Sequence, residues 1–535
     1  MNRGAKRTKK GFIALLWLLA ISLVTACSGG GTGVGGGTPS QTPNGTADGG
    51  ANAQPGGDAG TDAGEEPLSI QMFAGLYNDM PDMNNAYWSE WQKRLNVKLD
   101  VEWVPDGDLN TKMDLLLASG DLPEVLASPT STKPTLISAI KNGAFWDLTP
   151  FLGDFSKYPN LRDNMAKDAY KYLSVDGKIY AVSRSRSRVD QGMRIRKDWL
   201  DALNIPEPTT LDEYAAALKK IVESDPDGNG SIDSLGLIGH GVIISDGDIS
   251  FAAGFGATKP HFNDEGGLVY TRLNPGFTRT VEWFRQLYAD GVLPKEFAVM
   301  KKTQAEELYK TGRAAAYVRS VWWDKEWEDS IKKSGQPNAK IKQLLLVGPD
   351  GDPAVDLSTG VSGGYYISKK VPEEKVWKLL DYFERTASEE ITDFAYYGLE
   401  GIHHTVVDGQ KVLTEQGVKE VNTTSKGAGV LAYAQWGKVV SASGSKEYND
   451  AKIKEVEKYD EVGIVEPFRY ILSETWLKVW PKYETEWQTM VTKAIVGQIS
   501  MEEYKAYVDK LNADPQMRTA YKEFADSYAD FQAAK

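Results

Sequence analysis

Between Leu68 and Ser119 the spacing of apolar residues changes period three times, and this alternation narrows the choice of fold more than any other feature of the chain. Leu68–Ala74 reads as a buried strand, Asn84–Leu95 as an amphipathic helix, Val97–Trp103 alternates strictly, and Asp108–Ser119 returns to helical spacing. Strand, helix, strand, helix at such intervals predicts right-handed βαβ units, and so an α/β fold with helices layered on a sheet. Gly120-Asp121-Leu122-Pro123 ends the helix and leads into an apolar strand, Glu124–Ala127. Leu136–Lys141 is a short helix closed by Asn142-Gly143, and Asp147-Leu148-Thr149-Pro150 starts the next element. Farther on, helical spacing dominates at Leu211–Ser224, Phe277–Ala289, Thr303–Thr311, Glu373–Thr386, Tyr470–Val496 and Met501–Leu511. Short strands interrupt at Ala314–Val318, Lys342–Val347 and Gly363–Ile367. The 535 residues, 41% of them hydrophobic, supply enough apolar mass for more than one core and therefore for a cleft between lobes.

The N-terminal segments are of a different kind. Met1–Lys10 is basic and Phe12–Val24 nearly all apolar, ending in small residues before Cys27, the only cysteine. The apolar run is shorter than the ~20 residues a membrane helix needs, which makes it a secretory signal. Its spacing resembles the bacterial lipoprotein signal, in which the cysteine is acylated after cleavage; the alternative is plain secretion with an incidental cysteine. Ser28–Glu66 contains fourteen glycines in thirty-nine residues and can bury no core, so a disordered tether is expected. Without the five basic residues of Met1–Ala26, 56 basic residues face 74 acidic ones, a balance of −18. That acidity argues against a nucleic-acid reader, and one cysteine excludes a disulfide framework or a thiolate zinc cage.

Three clusters carry candidate chemistry. Asp225, Asp227, Asn229, Ser231 and Asp233 place oxygens at alternating positions of one loop, with Gly230 sixth and Ile232 eighth, as a loop wrapping calcium requires. Position twelve is Gly236, where an EF-hand has a bidentate Glu, so Asp233 or water must complete the shell; the alternative is an Asx/Gly turn without metal. Arg184, Arg186 and Arg188 alternate with period two and, if extended, put three guanidiniums on one strand face, suited to carboxylates; the alternative is a solvated edge strand protected by like charge. Trp322, Trp323 and Trp436 are candidates for stacking on sugar rings, against the alternative of core packing. Neighbours on a strand point in opposite directions, so only one of Trp322 and Trp323 is expected in any one core. Hydrolase, zinc and ATP-binding signatures are absent from the sequence.

Ordered motifs then carry a resemblance. Ala118-Ser119-Gly120-Asp121-Leu122-Pro123-Glu124, Asn142-Gly143-Ala144-Phe145-Trp146-Asp147-Leu148-Thr149-Pro150, Val175-Asp176-Gly177-Lys178-Ile179-Tyr180 and Ile195-Arg196-Lys197-Asp198-Trp199-Leu200 follow the order typical of family 1 extracellular solute-binding proteins. Gly312-Arg313-Ala314-Ala315-Ala316-Tyr317, Gly398-Leu399-Glu400-Gly401 and Ala494-Ile495-Val496-Gly497 continue it. The chain is similar to the alginate-oligosaccharide and maltose binding members. The resemblance implies a type II periplasmic-binding-protein-like fold, two α/β lobes joined by crossovers near Ser183–Asp190, Asp356–Gly364 and Gly427–Trp436. It divides the chain into a leader (1–26), an acylated cysteine and tether (27–66), one lobe from 67–188 and 359–430, and a second from 189–358 and 431–535. It further implies a monomeric lipoprotein on the outer face of a Gram-positive cytoplasmic membrane, delivering an oligosaccharide to an ABC permease, with structural calcium and no enzymatic activity. The family usually has Gly-aliphatic-Pro after the Tyr of Asp-Gly-Lys; here Ala181-Val182-Ser183-Arg184 stands instead.

Two other functions fit the same residues: an anchored calcium-dependent carbohydrate-active enzyme using paired carboxylates, and a surface sugar sensor feeding a signalling system. New reducing ends would mark the first, and a signalling partner the second.

Overall fold

The structure, a computed structural model, describes residues 66–76, 80–240, 248–407, 409–424, 441 and 444–533. Glu65–Lys535 forms one compact unit. Its first strands are β1 (Leu68–Leu76), β2 (Val97–Pro105), β3 (Val125–Ser128) and β4 (Ala181–Ser185), followed by β5 (Gln191–Arg196), β6 (Leu235–Ile238), β7 (Ala314–Ser320) and β8 (Ile341–Leu344), and then by β9 (Asp356–Leu357), β10 (Val361–Ile367) and β11 (Ile464–Val465). They build a five-stranded sheet in the order β2-β1-β3-β10-β4 and a four-stranded sheet in the order β8-β5-β7-β6, while β9 pairs with β11. The βαβ reading holds: β1 pairs in parallel with β2 and with β3, through helices α1 (Ala86–Leu95) and α2 (Asp106–Ser119).

The first sheet is covered on both faces, which is why its strands read as continuous apolar runs. Met72 and Ala74 face the cluster that includes Trp88, Trp91 and Phe383, while Phe73 between them faces Met113, Leu136 and Phe145. Asn85 caps α1 by accepting from the Trp88 N–H at 2.9 Å, and Asn96 ends it in the left-handed region at φ 51°. Each fully buried aromatic of α1 contributes on the order of 2–3 kcal/mol.

The second sheet has its own core, where Ile195, Leu237 and Val318 pack with Leu218, Phe284, Trp487 and Tyr521. Helices α3 (Leu211–Val222), α4 (Asp324–Lys333), α5 (Lys446–Val462), α6 (Glu474–Ile495) and α7 (Pro515–Ala533) belong to this half. Thr210 and Glu213 close a capping box on α3. Among the described residues no helix is long and apolar enough to cross a membrane.

Strand directions fix how the halves meet. In the first sheet β10 runs antiparallel to β3 and β4, so Leu76, Ser128 and Ser185 end at one edge, where β10 begins. In the second sheet β5 runs antiparallel to β7 and β8 while β6 runs parallel to β7, so Ile238, Ser320 and Leu344 end where β5 begins. The chain leaves β4 at the first of these edges and enters β5 at the second; it returns from β8 to β10 in the same way. The two connecting segments are hydrogen bonded to each other, Arg186 N–H to the Gly360 carbonyl and Ser358 N–H to the Arg188 carbonyl, both at 2.7 Å. A small third core of Val189, Val321, Val355, Leu357, Val456 and Tyr459 sits here. The lobes also touch where Tyr172 stacks on Phe531 at 5.3 Å and lies 5.4 Å from Tyr470.

Candidate functional site

In α/β sheets, ligands bind beyond the carboxyl ends of the strands, and here both sheets turn those ends toward the crossovers. Every side chain that the local sequence leaves at these ends is therefore a candidate. β3 ends in Ser128, and the next residues carry hydroxyls: Ser128 Oγ donates to the Thr130 carbonyl at 2.7 Å and Thr130 Oγ1 accepts from the Thr132 N–H at 3.3 Å. Gly363 makes room for this turn, since a Cβ there would lie 2.0 Å from the Ser128 carbonyl oxygen and its φ is +73°. At the end of β6, His240 Nδ1 lies 3.1 Å from the Tyr317 hydroxyl. A Ser/Thr run directly after a buried strand was the available signal for Thr130 and Thr132; nothing local pointed to His240.

The three arginines do not share one strand face. β4 stops at Ser185 because the Arg186 N–H turns to Gly360, so only Arg184 lies in the strand and Arg186 and Arg188 lie in the crossover. The strand is an edge, as one reading held, but it is not solvated: Arg184 is 3% exposed and Arg186 8%. Burial of a guanidinium requires acceptors. Arg184 Nη1 donates to the Ser362 carbonyl at 3.3 Å and Arg186 Nη1 to the Ser185 carbonyl at 3.0 Å. Arg188 pairs with Asp460 of α5 at 3.4 Å.

Trp322 and Trp323 are not on a strand either. The Val321 N–H donates to the Asp190 carbonyl at 2.8 Å, Asp190 Oδ1 accepts from Ser320 Oγ at 2.9 Å, and Val321–Trp323 form a turn of 3-10 helix. The expectation that they face different surroundings nonetheless holds: Trp322 packs on the crossover core while Trp323 is 39% exposed. Trp436 and Cys27 lie outside the described residues.

Behind Trp323 is a charge cluster that no local pattern announced. Arg194 of β5 pairs with Asp324 at 2.9 Å, and Lys452 of α5 reaches the other oxygen of Asp324 at 2.7 Å. Gln343 donates to both Asp324 oxygens at 2.9 Å, and Lys452 also binds Glu455. Burial alone would raise the Asp324 carboxyl, but Arg194 and Lys452 outweigh it and hold it below the usual carboxylate range. This cluster joins β5, α4 and α5 at the carboxyl end of β7.

The Asp225–Asp233 loop lies at the far end of the same lobe sheet, before β6. Asp225 accepts from the N–H groups of Asn229 at 3.1 Å and Gly230 at 2.9 Å. The Asn229 amide donates to Asp227 at 3.1 Å and to Asp233 at 3.3 Å, and its oxygen accepts from the Ser231 N–H at 2.8 Å. Gly228 and Gly230 take positive φ, 69° and 87°. The Gly230 N–H is the main influence lowering the Asp225 carboxyl. Position twelve, Gly236, is inside β6, where a Cβ would lie 2.6 Å from the Val292 carbonyl oxygen; packing rules out a bidentate Glu there. Among the described residues no three acidic, histidine or cysteine side chains stand grouped as a closed metal cage. The donor chemistry nonetheless suits a hard cation, with an amide now bridging carboxylates that a cation would bridge.

Two α/β lobes, linked by crossovers between the carboxyl ends of their strands, define a periplasmic-binding-protein-like fold. The family model described as bacterial extracellular solute-binding protein matches residues 76–390, and the chain belongs to that family. It is 30% identical over 351 residues to the polygalacturonan/rhamnogalacturonan-binding protein YtcQ of Bacillus subtilis (strain 168), covering 64% of this chain and 67% of that one. Lipoprotein LipO of the same organism is 27% identical over 353 residues, covering 64% and 68%. The crystal structure of alginate-binding protein AlgQ2 without calcium ion superposes with a TM-score of 0.63 at 18% identity, over 88% of this chain and 99% of that one, a likeness of fold.

Proposed function

We propose that the chain is the lipid-anchored substrate-binding subunit of an ABC importer, and that it captures an oligosaccharide carrying uronate groups without altering its bonds. One observation carries the reading: the carboxyl ends of both sheets converge on the crossovers, with Arg184 near the end of β4, Arg186 and Arg188 in the first crossover, and Trp323 exposed just after β7. Guanidiniums recognise carboxylates bidentately, and an indole face suits the C–H surface of a sugar ring. A polygalacturonan-binding relative supports the acidic ligand, and a lipoprotein relative supports anchoring through Cys27 on the outer face of the cytoplasmic membrane. Membership of the solute-binding family supports delivery to a permease.

Capture works by hinge closure. The hydrogen-bonded crossovers and their small core are the flexing element, and the ligand drives closure only by touching both lobes at once, so that it binds the closed form more tightly than the open one. Calcium bound by Asp225, Asp227, Asn229, Ser231 and Asp233 would pin the loop before β6 and has no part in capture.

Calorimetry with oligogalacturonates and with neutral oligosaccharides of equal length tests the reading. Acidic chains are expected to bind at least tenfold more tightly, with no new reducing ends on prolonged incubation. Tight binding of neutral sugars alone would discard the uronate preference, and release of reducing ends would discard a binding subunit.

A further inference from the structure

A second groove runs along the edge strand β8, between it and helices α4 and α5, and reaches the crossover core only at Tyr459. Its volume is about 840 Å³, within the range of small-ligand sites. Its carboxylates are all engaged. Asp324 holds Arg194 and Lys452, Glu455 holds Lys452, Glu328 takes Lys332 at 2.6 Å and the Ile341 N–H at 3.0 Å, and Glu207 faces Lys197 at 3.8 Å. The ammonium groups are not matched in the same way. Lys340, Lys342, Lys454 and Lys458 also line the groove, and no ion pair to a carboxylate is formed by any of them among the described residues. A chain whose formal charge is −13 thus presents one groove in which six lysines face four acids. Tyr459, also lining it, is 3% exposed and its hydroxyl has no hydrogen-bond partner among the described residues. An unmade hydrogen bond of a buried hydroxyl is costly, so a site that supplies an acceptor there gains twice, from the hydroxyl and from the lysines.

We propose that this groove is a second binding site, separate from the inter-lobe cleft, for an anionic group borne by a small ligand, a carboxylate or a phosphate. Lys342 from β8 and Lys454 and Lys458, one turn apart on α5, supply the charge from opposite walls, and Tyr459 supplies a neutral donor at the floor. Because α5 also carries Val456 and Tyr459 into the crossover core and pairs Asp460 with Arg188, occupancy is coupled to the element about which the lobes move. The inference does not rest on the identity of the cleft ligand.

Equilibrium titration of the full chain with inorganic phosphate, galacturonic acid and galactose tests it, beside the K342Q/K454Q/K458Q triple variant and Tyr459→Phe. Saturable binding of at least one anion is expected, weakened by added salt, reduced tenfold or more in the triple variant and severalfold in Tyr459→Phe. Phosphate alone or galacturonate alone identifies the source of the anion. Circular dichroism and oligogalacturonate-driven compaction are expected to be unchanged in the triple variant, which separates this site from the cleft. Absence of saturable anion binding, equal binding of galactose, or anion binding unaltered in the triple variant would overturn the proposal.

Discussion

The loop Asp225–Asp233 and the cluster Arg194–Asp324–Lys452 both concentrate charge in the second lobe, and they manage it in opposite ways. The loop is drawn from nine consecutive residues, is partly exposed to water, and holds its carboxylates mainly through N–H groups of its own backbone and the Asn229 amide, with Arg313 meeting Asp233 at 3.3 Å from outside it. The cluster is assembled from β5, α4 and α5 across more than two hundred residues of sequence, is buried, and neutralises itself by setting two cations, Arg194 and Lys452, against two carboxylates, Asp324 and Glu455. An exposed set of like charges is inexpensive and open to a cation; a buried set must be complete, because each missing partner leaves a charge without solvent.

The sharpest way to break this contrast is Asp324→Ala. Removing one partner of a buried ion network costs about 3–5 kcal/mol, and here it leaves Arg194 without a carboxylate and Lys452 with Glu455 alone, so a large drop in the urea unfolding midpoint is expected. A midpoint near that of the parent would mean that the cluster is more hydrated than its geometry implies. Calcium gives the next effect. If the loop binds it, free calcium a hundredfold above Kd stabilises the protein by about 2.7 kcal/mol, seen as a rise in Tm that EDTA reverses and that Asp225→Asn with Asp227→Asn abolishes. A Tm indifferent to calcium and EDTA would make the loop a metal-free turn.

Acid sharpens the contrast further. The Asp324 carboxyl is lowered in the folded chain from its ordinary 3.8, so the folded state binds its proton less readily than the unfolded state does. Its stabilisation is therefore complete above about pH 4–5 and is lost as pH falls through the lowered value. Chemical denaturation between pH 5 and pH 2 is expected to show a steeper loss in the parent than in Asp324→Asn. The smallest effect is expected of Asp225→Ala without calcium: the side chain is half-buried and its hydrogen bonds stay within the loop, so the unfolding midpoint is expected to fall only slightly, far less than in Asp324→Ala.

The same contrast explains what the sequence disclosed. The loop was legible because its geometry is local, and so were β1, α1, β2 and α2, whose periodicity is written in adjacent residues. Strand β5, Gln191–Arg196, was not, because Arg194 and Arg196 occupy buried positions where an apolar residue is expected; their partners Asp324 and Asp198 make that burial tolerable. Helix α5 reads as polar because its buried side consists of Lys452, Val456 and Tyr459, apolar only in part. Trp322 and Trp323 resemble a strand pair in sequence, but Asp190, brought in by the crossover, ends β7 before them. The family resemblance gave the place of the first crossover, while arginines spaced two apart hid its shape, since Gly360 and Ser362 supply the carbonyls that draw Arg186 and Arg184 inward.

The central claim is that two lobes close on an oligosaccharide held at their strand ends. Small-angle scattering of the purified protein, titrated with oligogalacturonates of defined length and followed by chromatography of the recovered sugar, measures it directly. A saturable fall in the radius of gyration, with the sugar recovered at its original length, is the predicted result. An unchanged radius across oligogalacturonates and neutral oligosaccharides alike, or recovery of shortened chains, would contradict it.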